Sequence, residues 1–119
     1  MKQELQDNLC NDFPLLFKEG FYFECGNGWY ELIRELCQKL YPLIENVEFD
    51  PHNFPNAYQV KEKYGSLRFY MSTEKDEMSK LIEEAEKEST TICEICGDEG
   101  ELRQHRSWYS TLCDEHRNK

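Results

Sequence analysis

Apolar side chains recur every three or four residues in the stretch that follows Gly28, and this spacing predicts an amphipathic helix. The stripe has six members: Trp29, Leu32, Ile33, Leu36, Cys37 and Leu40. Asn27 is the predicted N-cap, because its side chain can accept a hydrogen bond from the first turn. Pro42 disfavours helical geometry at Tyr41, so we expect the helix to end or kink there. A shorter helix is expected over residues 2–9.

Alternating apolar and polar residues between positions 57 and 72 predict a β-hairpin. Tyr58 and Val60 are expected to share one face of its first strand. One face of the second strand would carry Leu67, Phe69 and Met71. Gly65 lies in the turn, where it can take a positive φ without strain. Val47 and Phe49 are candidates for a third strand.

A second amphipathic helix is predicted from about Glu74 to Glu88. Its buried face would hold Met78, Leu81, Ile82 and Ala85, and its other faces carry mostly acidic residues. Residues 1–90 are therefore predicted to form an α+β body, with helices packed on one face of a small antiparallel β-sheet. Residues 91–119 follow a different pattern and are predicted to form a C-terminal treble-clef-like zinc finger.

Two spaced pairs of potential metal ligands lie in this C-terminal segment. Cys93 and Cys96 are separated by two residues, and after sixteen intervening residues Cys113 and His116 repeat the same spacing. Three thiolates and one imidazole fill the four positions of a tetrahedral zinc ion, so we expect a structural site with no open position. His105 is an alternative to His116. A redox dithiol is the other interpretation of the Cys-x-x-Cys pair, but that motif normally belongs to a βαβ unit.

The residues between the two ligand pairs predict a short hairpin, with strands at 101–104 and 108–112. A knuckle, a hairpin and a helix that carries the second pair would together form the treble-clef-like finger. This segment has few aliphatic residues, so zinc is expected to supply much of its folding energy.

The same hairpin contains the chain's one basic and aromatic cluster: Arg103, His105, Arg106, Trp108 and Tyr109. Arginine and aromatic side chains together can hold phosphates and stack on bases, which makes the cluster a candidate binding surface. In the alternative interpretation, Trp108 covers the zinc site and the arginines pair with nearby acids.

Composition limits the choice of partners. The 119 residues include 14 basic and 24 acidic side chains, a net charge of −10, so most of the surface should repel nucleic acid and anionic membranes. Imitation of a nucleic acid backbone is one interpretation of the acidic second helix, and a solvated face is the other. No apolar run is long enough to span a bilayer, and no signal peptide is recognisable. Because no export signal is recognisable, we expect a reducing cytoplasm. There the six cysteines should not form disulfides, and clustered cysteines more often bind metal.

No catalytic residues are predicted. Deaminase and metalloprotease motifs are absent from the sequence. Cys37 falls on the first helix stripe and is expected in the core. Cys25 precedes a helix N-terminus, which can lower a thiol pKa, but it lacks a visible base and is also expected to be a core cysteine. His52, the only histidine outside the zinc segment, is expected on a surface loop.

Three stretches, residues 23–30, 60–70 and 112–116, together resemble a family of small uncharacterised proteins encoded by bacteriophages, prophages and bacteria. The resemblance implies a bacterial cytoplasm and a phage–host role, and small acidic phage proteins include inhibitors of host defence, such as anti-CRISPR proteins. We therefore expect a non-enzymatic binding protein that engages a host or phage protein handling nucleic acid. Direct nucleic acid binding through the finger hairpin is the first alternative. A small-ligand or nucleotide site at the aromatic segment 21–29 is the second.

Overall fold

The computed structural model describes residues 1–45, 54–73 and 75–117. Within them the chain forms three α-helices, α1 (Gln3–Asp12), α2 (Tyr30–Glu45) and α3 (Asp76–Glu88). It also forms five strands: β1 (Phe23–Glu24), β2 (Ala57–Lys63), β3 (Ser66–Met71), β4 (Glu101–His105) and β5 (Trp108–Leu112). Short 3₁₀ turns precede α2 (Asn27–Trp29) and follow α3 (Ser89–Thr91). The predicted mixture of helices with small sheets is confirmed. Val47, Phe49, His52 and Glu74 lie outside the described residues.

The sheet of the body is mixed, and the prediction of an antiparallel sheet is wrong in this respect. Its strand order is β1-β2-β3; β2 and β3 are antiparallel, but β1 runs parallel to β2. Phe23 in β1 is fully buried beside Val60, and its N–H donates to the Gln6 side chain at 2.9 Å. A two-residue strand is too short to show a periodic pattern in the sequence. Its parallel pairing with β2 defines it, and Phe23 is its buried residue.

The β2–β3 hairpin is confirmed, with Tyr64 and Gly65 at positive φ (53° and 82°) as a two-residue turn requires. The predicted apolar face of β3 is buried. In β2 the predicted alternation is wrong, because an irregularity in the register falls between Ala57 and Gln59. Tyr58 is therefore 62% exposed and stacks on Tyr70, while Ala57 is buried.

Helix α2 does not end at Tyr41 but continues to Glu45 with Pro42 inside it. Proline removes a backbone donor from a helix, and packing of the last turn offsets that cost. Ile44 is 1% exposed, and the Tyr41 ring meets Phe13 edge-on. The Tyr41 hydroxyl also accepts the N–H of Leu15 at 3.2 Å.

The start of α2 also differs from the prediction. Asn27 does not cap the helix; it begins the 3₁₀ turn, and its side-chain oxygen accepts the N–H of Lys2 at 2.6 Å. The first helix lies where it was expected but is longer, ending at Asp12 instead of position 9.

Helix α3 packs its apolar residues into the same core as α1, α2 and the sheet. Met78, Ile82 and Ala85 are buried as predicted, and Leu81 is partly buried. The last turn of α3 and the 3₁₀ turn after it also satisfy N–H groups of β3: Phe69 donates to the Glu86 carboxylate at 3.0 Å, and Leu67 to the Ser89 hydroxyl at 2.9 Å. Cys37 lies fully buried in this core, as expected. None of the helices described here is long and apolar enough to cross a membrane.

Candidate metal centre

The four predicted ligands converge. One ligand atom from each of Cys93, Cys96, Cys113 and His116 lies within 4.8 Å of all the others. The Cys96 and Cys113 sulfurs are 3.7 Å apart, and Nδ1 of His116 is 3.2 Å from Cys113 Sγ and 3.7 Å from Cys93 Sγ. A tetrahedral ion with metal–sulfur bonds of 2.3 Å gives sulfur–sulfur separations of about 3.8 Å and sulfur–nitrogen separations of about 3.6 Å. The arrangement is therefore compatible with one tetrahedral metal ion.

The first ligand pair is held in a tight knuckle. Gly97 has a φ of 87°, and its N–H donates to the carbonyl of Cys93 at 2.9 Å. The N–H of Cys93 in turn donates to the carbonyl of Asp98 at 2.8 Å. Because a positive φ suits glycine, Gly97 can close this turn without strain.

The electrostatics of the two knuckle thiols also fit a cation. Burial opposes ionisation of Cys93, but backbone N–H groups of Cys113, Cys96 and Ile95 lower its pKa to about 6. The N–H of Asp98 favours a Cys96 thiolate, yet desolvation and the Cys93 and Cys113 sulfurs together raise that pKa to about 12. The protein groups thus stabilise one thiolate and resist a second beside it. A bound dication would remove that resistance, as it does at sites of this donor type.

The second pair follows β5 in a hydrogen-bonded turn, where the N–H of His116 donates to the carbonyl of Cys113 at 3.2 Å. The helix predicted to carry this pair is not found in the described residues, which end at position 117. Arg103 orders the approach to Cys113: its Nε donates to the carbonyl of Leu112, and its guanidinium pairs with Asp114 at 3.0 Å.

The knuckle packs directly on the loop that begins α2. The N–H of Gly28 donates to the carbonyl of Glu94 at 2.8 Å, and the N–H of Gly26 donates to its carboxylate at 2.9 Å. The indole of Trp29 donates to the carbonyl of Ile92 at 2.8 Å. A side chain at Gly28 would overlap the Cys93 carbonyl oxygen, so only glycine permits this approach.

The finger hairpin makes a second contact, with the β2–β3 turn. The hydroxyl of Thr111, a fully buried residue, donates to the carbonyl of Gly65 at 2.6 Å. A side chain at Gly65 would overlap Leu102 and lie 3.1 Å from the N of Ser110. Sequence reasoning missed both contacts. The only sign of these contacts in the sequence was the presence of Gly26, Gly28 and Gly65 in stretches 23–30 and 60–70, on which the family resemblance rests.

The basic and aromatic cluster is not one surface. In the β4–β5 register His105 pairs with Trp108, and Gln104 pairs with Tyr109. Because side chains alternate across a strand, Arg103, His105 and Trp108 share one face, and Tyr109 lies on the other. Arg106 is in the turn at a φ of 61°. Of the alternative interpretation, the pairing of Arg103 with an acid is confirmed, and Trp108 is 68% exposed.

The tip of the finger and the turn of the body together line an open groove of about 370 Å³. Trp108 and Tyr109 both line this groove although they lie on opposite faces of the hairpin. We call these two residues and Tyr64 the aromatic edge. Tyr64 is 67% exposed, and the Lys63 ammonium lies 5.7 Å from the centre of its ring. Glu62 and Ser107 complete the lining.

The remaining sequence candidates lie in or beside the core. Burial raises the pKa of Cys25 to about 12, the opposite of the lowering that a helix N-terminus can produce. The segment 21–29 was suggested as a ligand site, but its Phe23 and Trp29 are fully buried. Tyr22 is the one large apolar residue of this segment that is exposed.

These observations define a candidate Cys3His metal centre built into a mixed α/β protein. Comparisons with protein-family models, curated proteins and solved structures find no match for this chain. The resemblance to phage and bacterial proteins therefore stays an expectation that rests on three stretches of sequence.

Proposed function

We propose that this chain is a non-enzymatic binding protein whose C-terminal Cys3His centre holds one structural zinc ion. Three cysteines and one histidine form a donor set that suits zinc, and four protein donors leave no position for a substrate. Zinc would bring two positive charges to a cluster of three thiols and one imidazole that lie within 4.8 Å of one another. The division into a body (1–90) and a treble-clef-like module (91–119) belongs to the same proposal.

The observation that carries the binding function is the aromatic edge. Tyr64 and Trp108 expose about two-thirds of their surface, near the hydrogen bond from Thr111 to Gly65 that joins the finger hairpin to the β2–β3 turn. Tryptophan and tyrosine are enriched among the residues that contribute most to protein interfaces, and exposed apolar patches mark such interfaces. We therefore assign the partner contact to this edge.

The charge of the chain favours a protein partner with a basic surface. The net charge is −10, and α3 carries exposed acidic residues that include Glu83, Glu84 and Glu88. Proteins that handle nucleic acid have basic surfaces, which this charge complements. The family resemblance favours an interaction in a bacterial cytoplasm during phage infection, and inhibition of a host defence system such as CRISPR would fit it.

Affinity capture from phage-infected bacteria tests the binding function. The bait is used as wild type, as Trp108→Ala and as Tyr22→Ala, an exposed tyrosine in another segment. A captured protein should be retained by Tyr22→Ala and lost with Trp108→Ala; the purified pair should lose at least about 30-fold in affinity with Trp108→Ala. Equal capture by all three baits would contradict the proposal.

The metal has its own test. Elemental analysis should find one zinc per chain, and Cys113→Ser should lose it. Cys10→Ser, a matched change at a cysteine outside the cluster, should retain it. Absence of zinc from the wild type, or full occupancy in Cys113→Ser, would contradict the assignment.

Direct nucleic acid binding is a second candidate, favoured by one observation. Between residues 102 and 112 the finger has two arginines, no acid and an exposed tryptophan. If this surface binds single strands, a mobility-shift complex should form at low salt, weaken steeply with added salt and weaken further with Arg106→Ala. The protein-partner proposal expects no complex.

A further inference from the structure

We infer that the aromatic edge is a composite surface that exists only while the metal centre docks the finger on the body. Metal occupancy then controls binding of the protein partner. This inference rests on the proposed function, since the partner is the one assigned to the aromatic edge above.

The edge is divided between the two parts of the chain. Tyr64 comes from the β2–β3 turn of the body, whereas Trp108 and Tyr109 begin β5 of the finger. Forty-three positions separate Tyr64 from its nearest finger neighbour in the groove, Ser107. Their proximity therefore depends on tertiary contacts.

Thr111 is the residue that joins these contacts to the metal centre. Its hydroxyl donates to the carbonyl of Gly65 in the body, and its own carbonyl accepts the N–H of Glu94 in the knuckle at 3.0 Å. Two residues later the chain supplies the ligand Cys113. Displacement of the knuckle from β5 would thus release the hairpin from the turn that carries Tyr64.

Apolar packing offers little to replace the metal. The buried hydrophobic cluster of the finger contains three residues, Cys93, Leu112 and Cys113, and two of them are ligands. The body has its own core of residues from α1, α2, α3 and the sheet. Metal removal should therefore free the finger while the body keeps its packing, since small metal sites commonly supply the folding energy of such segments.

Coupling of this kind acts in both directions. If zinc strengthens partner binding by some factor, then the partner must strengthen zinc binding by the same factor. A bound partner should accordingly slow the transfer of zinc to a chelator. If the metal site were purely structural and remote from the interface, the partner would not change this rate.

The first experiment needs no partner. In the zinc-loaded protein, nuclear Overhauser effects should connect the α protons of Gly65 with the amide proton of Ser110, because a Cβ built on Gly65 lies 3.1 Å from that nitrogen. Removal of zinc with a chelator should abolish them while contacts between the rings of Phe17 and Phe69 persist. Persistence of the Gly65–Ser110 effects without zinc would overturn the inference.

The second experiment displaces the finger without touching a ligand. Gly65→Ala introduces a Cβ that meets Leu102, whereas Gly20→Ala adds one at a similar positive φ (78° against 82°) with nothing within 4 Å. Both variants bear the cost of a left-handed alanine, so their difference isolates the steric contact. Gly65→Ala should keep zinc but lose at least tenfold in partner affinity, and Gly20→Ala should keep both.

Thr111→Val provides a variant of nearly the same shape that lacks the hydroxyl bonded to Gly65. It should reduce partner affinity in the same direction with zinc retained. Unchanged partner affinity in both Gly65→Ala and Thr111→Val would overturn the inference. If Trp108→Ala binds the partner normally, the proposed function fails, and the zinc dependence of the Gly65–Ser110 effects still decides whether metal assembles the edge.

Discussion

Replacement of Gly28 by alanine tests how closely the α2 loop approaches the metal knuckle. The added Cβ would overlap the carbonyl oxygen of Cys93 and lie 2.6 Å from the carbonyl carbon of Glu94 and from the N of Gly97. All three are backbone atoms, so no side-chain rotation can relieve the overlap. The loop and the knuckle must therefore move apart.

The size of the effect follows from what that movement costs. Overpacking of a close contact costs about 1–3 kcal/mol. Separation also strains two hydrogen bonds, from the N–H of Gly28 and from the indole of Trp29, each worth about 1 kcal/mol. The reduced entropy of the unfolded alanine chain returns about 0.4–1 kcal/mol. We expect the free energy of unfolding to fall by about 3 kcal/mol.

Urea unfolding in buffer that contains zinc, followed by circular dichroism, measures this loss. With a slope of about 1.5 kcal/mol per molar urea, the midpoint should fall by about 2 M. Asn27→Ala, one residue earlier, removes only the exposed bond from the N–H of Lys2 and should cost less than about 1 kcal/mol. A Gly28→Ala protein as stable as wild type, or more stable, would show that the knuckle does not lie against this loop.

Three further predictions concern the body, a buried thiol and the finger tip. Ser89→Ala should lower the free energy of unfolding by about 1–3 kcal/mol, because it leaves the buried N–H of Leu67 without its acceptor; urea unfolding checks this. At pH 8 the native Cys25 thiol should react with iodoacetamide roughly 1,000-fold more slowly than an ordinary thiol, because a pKa of about 12 leaves that much less thiolate. Rapid labelling of native Cys25 at pH 8 would contradict its burial. Since the folded-state pKa of Cys25 is raised, the contribution of its buried thiol to stability is present below pH 9 and is lost as the pH rises towards 12. Trp108→Ala should change the unfolding free energy by less than about 0.5 kcal/mol, since that side chain is 68% exposed, and a larger loss would mean that Trp108 supports the fold.

The features that local patterns predicted well are those that depend on residues close together in sequence. The helix stripe from Trp29 to Leu40, the turn at Gly65 and the two ligand pairs each have a spacing that one helix, one turn or one ion requires. The Cys-x-x-Cys pair fits one ion because its two sulfurs belong to the same tight turn. Requirements of this kind can be recognised from the spacing of residues along the sequence.

Errors arose where burial outweighed local preference. Pro42 lies inside α2 because Ile44 is buried beyond it, and Tyr58 faces outwards because an irregular register shifts β2. The parallel strand β1 has only two residues and depends on Val60, thirty-seven positions away. The energies of these tertiary contacts cannot be calculated from the residues that are neighbours in sequence.

The amino-acid sequence was sufficient to identify the four clustered candidate ligands, the amphipathic helices and the acidic charge, because each is a property of composition or of short spacing. Only the tertiary structure showed that Gly26 and Gly28 receive the knuckle, that Gly65 receives Thr111, and that the aromatic edge draws on both parts of the chain. The physical reason is that close backbone contacts depend on the positions of two distant segments at once, and a glycine in a sequence does not indicate which distant segment approaches it.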